Sequence, residues 1–262
     1  MSGHSKWAKI KHQKGVNDAK KGMIFTKLAK NITLAAKEGG GDLNMNFILR
    51  LAVSKAKDVN MPSENIERAI KKGVGGDEKS NVQRVSYEAM LGNVGLIVDC
   101  QTDNPNRTVA EVKHILEGNG AKMVGQGSIS WNFEEKGIVT VRPQKVVKSE
   151  KYGAPDSFAD VDRETLELEL MDIEGVEDLE EGTGYDEENS QNYSTIEIYT
   201  NKTALKNVST EVEKRGYRVE TFSLIKLPKE KKVVSEEEGN KAQNLVELLE
   251  ENDDVDEVWL NI

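Results

Sequence analysis

The residues best suited to chemistry are lysines, and their chemistry is the holding of phosphate. Lys6, Lys9, Lys11, Lys14, Lys20, Lys21, Lys27, Lys30 and Lys37 fall within the first 37 residues, where Asp18 is the only acid. An ammonium is a compact point charge without the planar fork of arginine, so it suits contact with a polyanion backbone more than the reading of base edges. Each phosphate it neutralises releases condensed counterion, which makes such binding steeply salt-dependent. Trp7, between Lys6 and Lys9, can stack on an exposed base, and His12 can contact phosphate or base. The competing reading is a solvated charged face, with Trp7 pinning the arm to the body.

Other motifs offer less. His4, His12 and His114 are too few and too scattered to hold a metal, so neither metal nor cofactor is expected. The glycines at 73, 75, 76, 118 and 120 lack the Gly-Lys-Ser/Thr ending of a phosphate loop and read as helix stops and linkers. Asn106-Arg107-Thr108 opens a helix and can hold an anion or simply cap and pack. Cys100 lies in an apolar run and reads as a buried hydrophobe. Residues 150–188 carry 16 acids against Lys151 and Arg163, with no nucleophile or metal cluster beside them. That stretch reads as a solvated face or a protein-docking surface, and no enzyme is expected.

The charge is divided along the chain. The net charge is -10 over 262 residues, yet residues 1–80 hold 14 Lys and 2 Arg against 8 acids. A cationic front on an anionic body can grip nucleic acid while the body keeps clear of it. No apolar run is long enough to span a membrane and the N-terminus lacks the apolar core of a secretory leader, so a cytoplasmic protein is expected.

The elements that must position the lysines follow from periodicity. Phe25, Leu28, Ile32 and Ala35 make one stripe of a helix over about 17–37, with Lys20, Lys27, Lys30 and Lys37 expected to face outward together. A second helix is predicted over about 44–59 with Ile48, Leu49, Ala52, Val53 and Ala56 inward. A third is predicted over 63–72, entered through Pro62 and stopped by Gly73. Strands over 82–91 and 94–99 flank the Gly92-Asn93 turn; a helix over 106–117 and a strand over 128–133 follow. The next series, β-α-β-β-α-β from 137 to 226, is a split βαβ unit. A helix over 236–251 and a strand over 255–260 remain, and they cannot bury themselves alone, so they are expected to return to the earlier sheet. The expected fold class is α+β: an N-terminal three-helix domain (1–79), a discontinuous α+β domain (80–135 plus 229–262), and a ferredoxin-like domain (136–228) inserted into it.

The stretches Ser2-Gly3-His4-Ser5-Lys6-Trp7, Asn60-Met61-Pro62, Thr102-Asp103-Asn104, Asn106-Arg107-Thr108, Gly127-Ser128-Ile129-Ser130-Trp131 and Asp253-Asp254-Val255, in this order, resemble the YebC family. The resemblance implies nucleic-acid binding, three domains and no catalysis. It implies a transcriptional regulatory protein that binds DNA, or alternatively a translation factor that binds the ribosome and its RNA. The chain departs from the family pattern at Ala89-Met90-Leu91-Gly92-Asn93-Val94-Gly95 and at Pro105.

Overall fold

The computed structural model describes residues 18–75, 82–149, 157–186 and 191–262. Three helices come first: α1 (Asp18–Gly39), α2 (Phe47–Asp58) and α3 (Ser63–Val74). Leu28, Ile32, Ala35, Leu49, Val53, Ala56, Ile66 and Ala69 close into one core, each removed from water. Asn46 fixes the α1–α2 corner. Its side-chain oxygen caps α2 at the Leu49 amide, and its Nδ2 donates to the carbonyls of Ala35 and Gly40.

Gly73, expected to stop α3, instead lies buried inside it. A Cβ there would sit 2.4 Å from the Thr33 carbonyl oxygen, so α1 and α3 cross at a point that only glycine allows.

The first sheet has the order β3-β1-β2-β9, with β1 (Gln83–Leu91), β2 (Val94–Thr102), β3 (Lys122–Val124) and β9 (Val255–Leu260). Helices α4 (Pro105–Gly118) and α7 (Glu236–Glu250) bury Val112, Leu116, Leu245 and Leu249 against Leu96, Val98 and Cys100. The last helix and strand therefore do return to the earlier sheet, where β9 pairs antiparallel with β2.

Between them lies the second sheet. It comprises β4 (Phe133–Val147), β5 (Ser157–Asp160), α5 (Arg163–Met171), β6 (Val176–Asp186), β7 (Gln191–Asn201), α6 (Leu205–Lys214) and β8 (Tyr217–Pro228). β4 runs between β7 and β8 and β6 lies outside β7, the ferredoxin-like arrangement, with the short β5 added at the end of β4. Leu166, Leu170, Ile196, Ile198, Leu205, Val208 and Val212 form its core.

The strand expected over 128–133 is not there. Its residues form a turn and a short 3-10 helix (Ser130–Asn132), and the third strand is Lys122–Val124. The reason is Glu88, buried on β1. Its carboxylate accepts the backbone N–H groups of Gly127, Ile129 and Ser130, so these amides cannot join a ladder. Gly127 turns with φ 87° to aim its amide. Burial opposes the charge on Glu88, but these hydrogen bonds outweigh it and hold the carboxyl below its usual range.

Candidate nucleic-acid interface

Lys6, Trp7, Lys9, Lys11, His12 and Lys14 lie outside the described residues, as does the side chain of Lys20. The remaining lysines of α1 do not share one surface. Lys21 and Lys37 are exposed. Lys27 is 9% exposed, and its ammonium donates to the carbonyl of Glu250 at the end of α7. Burial drives its pKa down from 10.5 to about 8, against the pull of Asp256 and Asp253. Lys30 donates to the Asp253 carbonyl at 3.0 Å and pairs with Asp254 at 3.3 Å. The sector expected to face outward is thus split, because the turn before β9 docks on its middle.

That dock draws together motifs far apart in the chain. Asp254 is 6% exposed and accepts from Thr102, Thr108 and Arg107, the last at 2.6 Å, as well as from Lys30. Burial opposes its charge, but Arg107, Thr108 and Lys30 hold its carboxyl below the ordinary range. The anion at the start of α4 is therefore the chain's own Asp254, and Arg107 is used in the fold. Beside it Asp256 accepts from Asn31 and Gln101, and burial next to Glu257 pushes its carboxyl up.

The helical layer touches the ferredoxin-like sheet as well. Leu51 of α2 is buried in that sheet's core, 7% exposed. Phe47 stacks on Phe222 with ring centroids 5.8 Å apart, and Arg50 lies over both rings. Ile48, expected inward, is 42% exposed. Lys55 binds Glu257 at 2.6 Å, Lys226 binds Asp99 at 2.6 Å, and Trp259 Nε1 donates to Asp99. These groups line a cleft of about 410 Å³ where the three units meet, and it carries both signs of charge.

A second hollow, about 460 Å³, opens between α1 and α3. Phe25, Ala29, Leu34, Met61 and Ala69 line it, and Lys30, Lys37, Arg68 and Lys72 stand around it, with no carboxylate among the described lining side chains. Arg68 and Lys72 are not among the residues that the sequence pattern points to, because the apolar face of α3 gives no sign of them. Their signal was the i, i+4 spacing, which places both on one side of a helix.

The acids gather elsewhere. Asp162, Glu164, Asp172, Glu174, Glu177 and Asp178 are exposed around α5 and β6. His114 is exposed on α4. Cys100 is buried, and burial with the nearby Asp99 pushes its thiol up to about 12. No helix among the described residues is long and apolar enough to cross a membrane.

Fold and surface define a class: a three-unit α+β protein in which a lysine-rich helical layer is fastened to two sheet units, one carrying acids on its outer surface. Comparison with known proteins gives it a family. Residues 5–76 match the model of the TACO1/YebC N-terminal domain, and residues 82–262 that of the TACO1/YebC second and third domain. The chain belongs to the TACO1/YebC family. It is 41% identical over 263 residues to a relative from Thermoanaerobacter pseudethanolicus and 37% identical over 267 residues to one from Brachyspira hyodysenteriae. Both are named probable transcriptional regulatory proteins, and the matches cover all of this chain with 97% and 96% of theirs. A crystal structure of a conserved hypothetical protein from Aquifex aeolicus superposes with a TM-score of 0.75 at 35% identity, covering 98% of this chain and 96% of that one.

Proposed function

We propose that this protein is a nucleic-acid-binding regulator of gene expression that grips phosphates with its helical layer and N-terminal arm. The observation that carries the reading is the cationic surface around the α1–α3 hollow, where Lys37, Arg68 and Lys72 stand together on the described lining. Lys6, Lys9, Lys11, Lys14, Lys20 and Lys21, with Trp7 and His12, extend it along the chain. Lys27 and Lys30 leave the contact set, since the fold uses them against Glu250, Asp253 and Asp254.

The units act as 1–79 for nucleic acid, 80–135 plus 229–262 as the frame, and 136–228 as an acidic surface for a protein partner. Its exposed carboxylates repel a polyanion, so it points away from the bound strand. The protein binds rather than catalyses and works in the cytoplasm. The buried, raised Cys100 thiol and the carboxylates tied up by Lys30, Lys55, Arg107 and Lys226 support that view.

The names of the relatives favour control of transcription through DNA. The shape of the surface favours the alternative, a translation factor on ribosomal RNA, because a concave apolar hollow suits an unstacked base better than a duplex groove. Co-sedimentation with ribosomes at moderate salt, set against gel shift on genomic fragments, decides between them. Retention on ribosomes with no sequence-selective shift supports the translational reading. A selective shift without ribosome retention supports the transcriptional one.

A further inference from the structure

We infer that the hollow between α1 and α3 is a seat for one unstacked base of a single-stranded nucleic acid, with Lys37, Arg68 and Lys72 holding the flanking phosphates. The inference rests on the reading of the helical layer as a nucleic-acid binder and names the form of nucleic acid it takes. The lining is mostly apolar, from the Phe25 ring to Met61 and Ala69, and the volume of about 460 Å³ is within the range of small-ligand sites. A base face can be buried on such a lining only after leaving its stack, which a single strand allows at small cost and a duplex resists.

The polar groups of the wall point the same way. The Thr26 hydroxyl donates to the Gly22 carbonyl and the Thr33 hydroxyl to the Ala69 carbonyl, so both are occupied within the fold. The half-buried Asn65 carboxamide makes no hydrogen bond to another described residue. It has donors and an acceptor to offer a base edge. The cationic rim supplies the complementary charge. The 410 Å³ cleft has no such bias, because Asp99, Asp256 and Glu257 face its lysines.

The experiment titrates the full chain against a fluorescein-labelled, uridine-rich RNA strand carrying a single 2-aminopurine, and against the same strand in a duplex. Ala29→Trp fills the hollow and Asn65→Leu removes its carboxamide, and both keep every rim charge. Loss of one base–aromatic contact should weaken the single strand roughly tenfold in Ala29→Trp. The 2-aminopurine signal should change with it, while affinity for the duplex stays the same. Asn65→Leu, on the wall and not in the core, serves as the second variant if circular dichroism shows that Ala29→Trp misfolds. An unchanged single-strand affinity, or an equal loss on strand and duplex, overturns the seat and leaves the wider reading standing. Retention of neither RNA nor duplex DNA by the unmodified chain overturns the wider reading itself.

Discussion

Replacing Lys27 by Met reverses sign with pH, and the size of the effect follows from where the ammonium sits. Burial lowers its pKa from 10.5 to about 8. At about 1.4 kcal/mol for each tenfold change, the native state disfavours the charged form by about 3 kcal/mol at neutral pH. Methionine removes that penalty but leaves the Glu250 carbonyl without its donor, at a cost of about 1–3 kcal/mol. At pH 7 the variant should therefore equal the parent or exceed it by up to about 2 kcal/mol. As pH rises from 8 to 10.5 the native chain gives up this proton before the unfolded chain does, so the parent gains stability across that window and the variant does not. By pH 10 the parent should be the more stable by about 1–2 kcal/mol. Urea unfolding of both proteins at pH 7 and pH 10 measures the difference, and titrations common to the two cancel. A loss above about 2 kcal/mol at pH 7, or a difference that ignores pH, refutes the reasoning.

Glu88→Gln should cost about 1–3 kcal/mol by weakening the anchor for the 127–130 turn. The parent loses this contribution as pH falls from the unfolded carboxyl value toward the depressed folded one, and the variant's acid-unfolding curve should be flatter there. Asp254→Ala takes one acceptor from each of Arg107, Lys30, Thr102 and Thr108, while Arg107 keeps Asp103 and Lys30 keeps the Asp253 carbonyl, and should cost about 1–3 kcal/mol in chemical denaturation. Gly73→Ala, a change that normally steadies a helix, should here cost about 1–3 kcal/mol in thermal melting, because its Cβ meets the Thr33 carbonyl.

The helices and most strands were legible because their apolar spacing is regular. The stripe through Leu28, Ile32 and Ala35 and the Gly92-Asn93 turn are local signals, and local signals survive folding. The return of β9 to β2 followed from a packing argument: an orphan helix and strand need a sheet. The strand expected over 128–133 failed because it alternates like a strand, while its amides are claimed by Glu88, some forty residues earlier. Gly73 read as a stop because nothing in α3 reveals that α1 crosses it there.

The surroundings of the α1 lysines were legible only in part, for the same reason. Charge and periodicity placed lysines on an outward sector of α1, but an outward sector of one helix is only outward until another unit docks. Lys27 and Lys30 were lost to the turn at 250–254, which lies over two hundred residues away in the chain. Arg68 and Lys72 come beside Lys37 because α1 and α3 together form a hollow that neither shows alone.

The salt dependence of nucleic-acid binding tests the central claim most directly. Binding of the RNA strand to the full chain should fall linearly on a log–log plot against salt, by about 0.7 for each phosphate contact. Changing Lys21, Lys37, Arg68 and Lys72 together to Gln should make that slope shallower by about 3 and weaken binding at low salt. An identical slope in the variant, or binding of neither RNA nor DNA by the parent even at low ionic strength, contradicts the account.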